Sequence, residues 1–167
     1  MRAVAGNVPT ASKGLPEMIL HRAPQAAGGV PAAGPAPCTC RRPVLYVEDH
    51  PANAEAMTAV FAYLPAFRLI VASDGHSALE RAEAERPVLL LLDLQLPDCD
   101  GAELLQRLRA LPELAATPAV AVTGSAPADL LATTSFVDVW SKPLRIARVL
   151  QGVERWAGAA ARLQTPA

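Results

Sequence analysis

A chain of 167 residues is long enough for one domain with an extension. Hydrophobic residues make up 51% of it and aromatics only 4%, so any core must be built of Leu, Val and Ala. The net charge of −1 is unevenly spread: residues 1–42 carry five Lys/Arg and one Glu, residues 43–167 ten Lys/Arg and fifteen Asp/Glu, and a part carrying −5 with no basic stripe is unsuited to direct nucleic-acid binding.

Residues 1–42 contain six prolines and five glycines and bury too little apolar surface to offset ordering entropy. They read as a disordered extension. Their one apolar triplet, Met18-Ile19-Leu20, is too short for a signal peptide. No stretch reaches the roughly 18 apolar residues of a membrane span, so the expectation is a cytoplasmic chain without membrane insertion. Of the three cysteines, Cys38 and Cys40 form a lone C-x-C without the further ligands a metal site needs.

A domain is expected over 43–156 and a short frayed tail over 157–167. Val44 to Val47 is a predicted strand ending in Glu48-Asp49. Pro51 then suits the first turn of a helix, on which Ala54, Met57, Val60, Phe61 and Leu64 recur at helical spacing. A second strand is predicted over Arg68–Ala72, and Ser73-Asp74-Gly75 can cap a helix over His76–Glu85. Leu89 to Leu92 is four leucines in a row, wider than an amphipathic helix face. It reads as a strand buried on both sides, delivering Asp93 at its end. Leu104, Leu105, Leu108 and Leu111 mark the next helix. Ala119–Thr123 is a fourth strand, followed by a loop with a short helix. Val137–Trp140 is a fifth strand, closed by Ser141-Lys142-Pro143. The last helix is predicted over Arg145–Trp156, with Ile146, Val149, Leu150 and Val153 inward.

Alternating βα order implies a parallel, doubly wound α/β sheet. Neither a Gly-x-Gly-x-x-Gly nor a P-loop is present, which argues against dinucleotide and P-loop nucleotide sites. Parallel strands bring Glu48, Asp49, Asp93, Thr123 and Lys142 to one sheet edge, where such folds bind ligands. Three crowded carboxylates favour a divalent cation, and hard oxygen donors suit Mg²⁺. A lysine and a hydroxyl beside a metal suit a phosphoryl group, with Asp93 as nucleophile.

The runs Val47-Glu48-Asp49, Leu92-Asp93-Leu94-Gln95-Leu96-Pro97 with Asp100-Gly101, Thr123-Gly124 and Lys142-Pro143-Leu144 resemble the receiver domain of two-component response regulators. Tyr46 to Asn53 is similar to the opening of receivers that work with hybrid sensor kinases. The resemblance implies a flavodoxin-like five-stranded sheet of order 2-1-3-4-5 and a cis Lys142–Pro143 bond. It implies Asp93 as phosphoacceptor, with Asp49 and Glu48 holding Mg²⁺ directly and through water. It further implies the Gln95 backbone carbonyl as a metal ligand, and Thr123 and Lys142 as contacts of the phosphoryl oxygens. Its implied partner is a histidine kinase or histidine phosphotransfer protein, and its implied state a monomer or weak dimer. No enzymatic turnover is expected beyond self-catalysed phosphoryl acceptance and autodephosphorylation. With no output domain after the last helix, the expectation is a stand-alone receiver or phosphate sink, or a fragment of a larger hybrid protein.

Two departures stand out. The family's switch aromatic, three residues before the lysine, is replaced by Val139, and the fourth helix is short. These features favour an alternative, a receiver-like interaction module that is not regulated by phosphorylation. A haloacid-dehalogenase-type hydrolase needs a second Asp two residues after the nucleophile, and Gln95 stands there.

Overall fold

The computed structural model describes residues 41–125 and 128–163, with side chains described as far as Gly158. Residues 1–40 of the expected extension lie outside the described residues. Five strands form one parallel sheet: β1 (Arg42–Val47), β2 (Phe67–Ala72), β3 (Leu89–Leu92), β4 (Ala119–Thr123) and β5 (Asp138–Ser141), in the order β2-β1-β3-β4-β5. This is the expected flavodoxin-like order. The order reverses between β1 and β3, the switch point at which open α/β sheets carry their sites.

Both faces of the central strands are covered, and their side chains alternate between two cores. Leu45, Val47, Leu90, Leu92 and Ala121 meet the leucines of α3 (Gly101–Arg109) and the alanines of α2 (Gly75–Glu85). Tyr46, Leu89, Leu91, Val120 and Val122 pack with Met57 and Phe61 of α1 (Pro51–Phe61) and with Val149 and Val153 of α5 (Ile146–Leu163). All four leucines of β3 are fully buried, which is why this strand alone lacks any polar residue until Asp93.

The end of the chain departs from expectation. Helix α5 continues past Trp156 to Leu163, and Ala157, expected to open a frayed tail, is fully buried, its carbonyl accepting from Arg42 at 2.9 Å. Ile146, expected inward, is 55% exposed. It stands in the first turn, on the edge of the groove between α1 and α5. Helix α4 is only Leu130–Thr133, one turn, as the short span between β4 and β5 requires. Among the described residues, no helix is long and apolar enough to cross a membrane.

Candidate functional site

The site is built on the ends of β1, β3, β4 and β5. Glu48 and Asp49 follow β1, and Asp93 follows β3, its amide donating to the Val47 carbonyl at 3.0 Å. Each of the three acids offers a carboxylate oxygen, and these oxygens all lie within 4.8 Å of one another. Glu48 and Asp93 are buried and Asp49 is exposed. Oxygen donors so placed fit a small hard cation with open positions left for water.

Lys142, just past β5, reaches across the sheet edge. Its Nζ lies 2.5 Å from Asp93 Oδ2 and 2.5 Å from Glu48 Oε2. Burial pushes the Glu48 carboxyl up. Hydrogen bonds from Lys142, Asn53 and Tyr46 outweigh it and hold the carboxyl below its ordinary range. For Lys142, burial pushes the ammonium down, and the bonds to Asp93 and Glu48 more than reverse this. The expected cis Lys142–Pro143 bond is present.

Two side chains without a sequence signal of their own complete the site. The Tyr46 hydroxyl donates to Glu48 Oε2 at 2.7 Å, and Asn53 Nδ2 donates to Glu48 Oε1 at 2.8 Å. Burial, followed by the neighbouring Glu48, raises the Tyr46 phenol well above its usual range, so it acts as a hydrogen-bond donor. Both residues lie within five positions of Glu48 in the sequence, but strand alternation turns Tyr46 inward like any core residue. Only the carboxylate beside it marks the hydroxyl.

Thr123 ends β4 on the same edge. Its hydroxyl is turned into the following loop, donating to the Ser125 carbonyl at 3.0 Å and accepting from the Ser125 amide at 3.3 Å. The structure thus gathers Glu48, Asp49, Asp93 and Lys142 into one cluster and leaves the Thr123 hydroxyl engaged elsewhere. The Gln95 amide donates to Asp93 Oδ1 at 3.1 Å. The loop after Asp93 is closed at its base by a Gln95–Asp100 bridge and by Gly101 N–H donating to the Leu94 carbonyl at 2.9 Å. A Cβ on Gly101 would collide with the Asp93 carbonyl, so glycine is what lets α3 start this close to the site.

Around the missing switch aromatic, Val139 is half-buried against the α2–α3 core. Asp138 beside it accepts from Arg148 at 2.7 Å, from the Trp140 indole at 3.1 Å and from the Trp156 indole at 3.3 Å. These bonds tie β5 to α5.

Comparison with known proteins agrees with this geometry. Residues 44–154 match the family model described as response regulator receiver domain. The chain is 31% identical over 129 residues to the signal transduction histidine-protein kinase BarA of Escherichia coli K12, covering 74% of this chain and 14% of that protein. It is 30% identical over 160 residues to the sensor protein GacS of Pseudomonas syringae, covering 92% of this chain and 17% of that one. The chain therefore spans about one sixth or less of these relatives.

Among solved structures, the receiver domain of the sensor histidine kinase PA1611 from Pseudomonas aeruginosa, which holds a magnesium ion in its active-site cleft, matches with a TM-score of 0.64 and 29% identity. The match covers 70% of this chain and 98% of that one. A CheY-like receiver from Methanospirillum hungatei, at 22% identity and a TM-score of 0.65, shares the fold. The acid cluster, the lysine spanning it and the family match over the whole sheet lead to one conclusion: this chain belongs to the response regulator receiver domain family.

Proposed function

We propose that the domain accepts a phosphoryl group from a phosphohistidine onto Asp93, acting in a cytoplasmic phosphorelay. The observation that carries this reading is Asp93 itself, buried at the centre of the sheet edge and paired at 2.5 Å with Lys142. A carboxylate oxygen of Asp93 attacks phosphorus as the P–N bond breaks, and its electron pair stays on the imidazole nitrogen. The product is an acyl phosphate, which water later cleaves to restore the carboxylate. Lys142 is placed to neutralise charge on the phosphoryl oxygens, and positioning plus charge neutralisation govern such a transfer. Glu48, Asp49, Asp93 and the Gln95 carbonyl are the residues that would hold Mg²⁺. When bound, the ion offsets the charge that the acids and phosphoryl oxygens share. No separate substrate is turned over.

The donor is a histidine kinase or a histidine phosphotransfer protein. A groove of about 500 Å³ lies beside Lys142, between α1 and the start of α5. Met57, Tyr63, Pro143 and Ile146 line it and give a mostly apolar surface for a helix that carries the histidine. Two arms test the reading. Calorimetry should show Mg²⁺ binding that Asp49→Ala weakens by more than the roughly tenfold that loss of an outer-shell partner alone costs. A phosphorylated histidine phosphotransfer protein should pass its label to the chain in Mg²⁺ but not in EDTA. Equal Mg²⁺ affinity in Asp49→Ala, or transfer indifferent to EDTA, would place the metal elsewhere.

The receiver-like module unregulated by phosphorylation is disfavoured by the complete acid and lysine cluster. The switch, however, should be local. Phosphorylation shifts a two-state balance only as far as the phosphoryl group prefers one state. Val139 is small and stiff at χ1, α4 is one turn, and Asp138 ties β5 to α5. With beryllofluoride as the phosphoryl mimic, amide exchange should slow in the loops after β3 and β4 and change little across Val137–Trp156. Equal changes in both regions would refute a local switch.

A further inference from the structure

We propose that Asp98 is a positioning residue that anchors the loop carrying Asp93 and Gln95 to the N-terminus of α2, and so sets the Mg²⁺ affinity of the site. The proposal rests on the phosphoacceptor reading and deepens it. The first turn of a helix leaves amides without intrahelical partners. In α2 the Ser77 amide donates to the helix's own cap, Asp74, at 2.7 Å. The Gly75 and His76 amides have no such local partner. They donate across 23 and 22 positions of sequence, to Asp98 Oδ1 at 2.8 Å and to Asp98 Oδ2 at 3.1 Å.

Both oxygens of one carboxylate are therefore committed to a neighbouring element. The Asp98 carboxyl is held below its usual range, foremost by the Gly75 amide, as a charged acceptor of amide bonds should be. The approach is close. A Cβ on Gly75 would lie 2.5 Å from Cys99 Sγ and 3.2 Å from Asp98 Oδ2, so a side chain here would turn the thiol away and press on the Asp98 carboxylate. The base of the loop is closed by the Gln95–Asp100 bridge and the Gly101–Leu94 bond. Its tip, Pro97 to Cys99, is fixed outward through Asp98. Gln95, on the base and two residues before the tip, gives its amide to Asp93 Oδ1 and would offer its carbonyl to the metal. A group that orients metal ligands without touching the metal sets how well they hold it, and its loss typically costs about 10–100-fold in affinity.

The test uses the full chain as wild type, Asp98→Ala, Asp98→Asn and Gly75→Ala. Mg²⁺ affinity is measured by calorimetry and labelling by acetyl phosphate at saturating Mg²⁺. The exchange rate of the Gln95 amide is measured without metal. Asp98→Ala should weaken Mg²⁺ about tenfold, as loss of an outer-sphere partner does, and Gly75→Ala, which only presses on the carboxylate, should weaken it by less. The labelling rate at saturating Mg²⁺ should stay at the wild-type value, and the Gln95 amide should exchange faster. Asp98→Asn keeps one acceptor oxygen and should fall between. If Asp98→Ala does not melt cooperatively, Asp98→Asn carries the comparison. Wild-type Mg²⁺ affinity in the folded variants, or a slower rate at saturating Mg²⁺ with unchanged affinity, overturns the proposal. If the wild-type chain itself takes up no Mg²⁺, the site reading fails. The Gln95 exchange rate then still decides whether Asp98 holds the loop.

Discussion

Asp93→Asn should take up no phosphoryl group. Acetyl phosphate and Mg²⁺ should label the wild-type chain at one residue, and borohydride reduction should convert that residue alone to homoserine. Apart from the exposed Asp49, the acids that compete with Asp93 near this edge are committed. The Glu48 oxygens are occupied by Tyr46, Asn53 and Lys142. The Asp98 oxygens serve α2, and Asp138 serves Arg148 and two indoles. Asp93 combines burial, the Lys142 ammonium and a free lone pair on each oxygen. An Asn at this position keeps the shape and an acceptor for Lys142 while losing the nucleophile. Its thermal midpoint should therefore stay within a few degrees of wild type, the span of about 1 kcal/mol in a domain of this size. Full labelling of Asp93→Asn, or label on Asp49, would show the assignment to be wrong.

Lys142→Met should cost the most stability of any single change at the site. The Glu48 side chain is fully buried. Without the ammonium it keeps only the Tyr46 hydroxyl, Asn53 and the distant His50 amide. Breaking a buried pair by removing one partner costs about 3–5 kcal/mol, and the 20% exposure of Lys142 puts this case near the lower end. The pH dependence follows from the directions of the two shifts. Glu48 is lowered in the folded state, so its contribution is present above its unfolded value and is lost as pH falls through the folded one. Lys142 is raised, so its contribution is present below its unfolded value and is lost as pH rises through the folded one. Urea titrations should therefore show the largest deficit of Lys142→Met near neutrality. The gap should narrow below about pH 4, where a protonated Glu48 no longer needs a cation. A deficit that is constant across that range would mean that the lysine stem, not its charge, holds the site.

Local rules made much of this chain legible. Four consecutive leucines bounded by Pro87 and Pro97 leave room for a strand covered on both faces rather than a helix, and Asp93 at its end follows from parallel topology. Helix starts at Pro51 and after Asp74 were readable because caps act within three or four residues. The gathering of Glu48, Asp49, Asp93 and Lys142 was readable because every strand of a parallel sheet ends on the same edge.

Tertiary structure decided the rest. The Tyr46 and Asn53 bonds to Glu48 depend on side-chain direction, and a buried Tyr looks like any other core residue until its hydroxyl has a partner. The carboxylate that completes the α2 cap comes from Asp98, more than twenty residues away, so no local capping rule reaches it. Arg86 closes α2 at φ 46°, a conformation for which glycine is the usual signal. Helix α5 runs through Ala and Gly to Leu163 although those residues carry little pattern, and Ala157 is buried beside Arg42. In each case the partner lies far along the chain or the signal lies in orientation. Residue order sets which elements form and where their ends meet, whereas close packing sets which polar atoms find each other there.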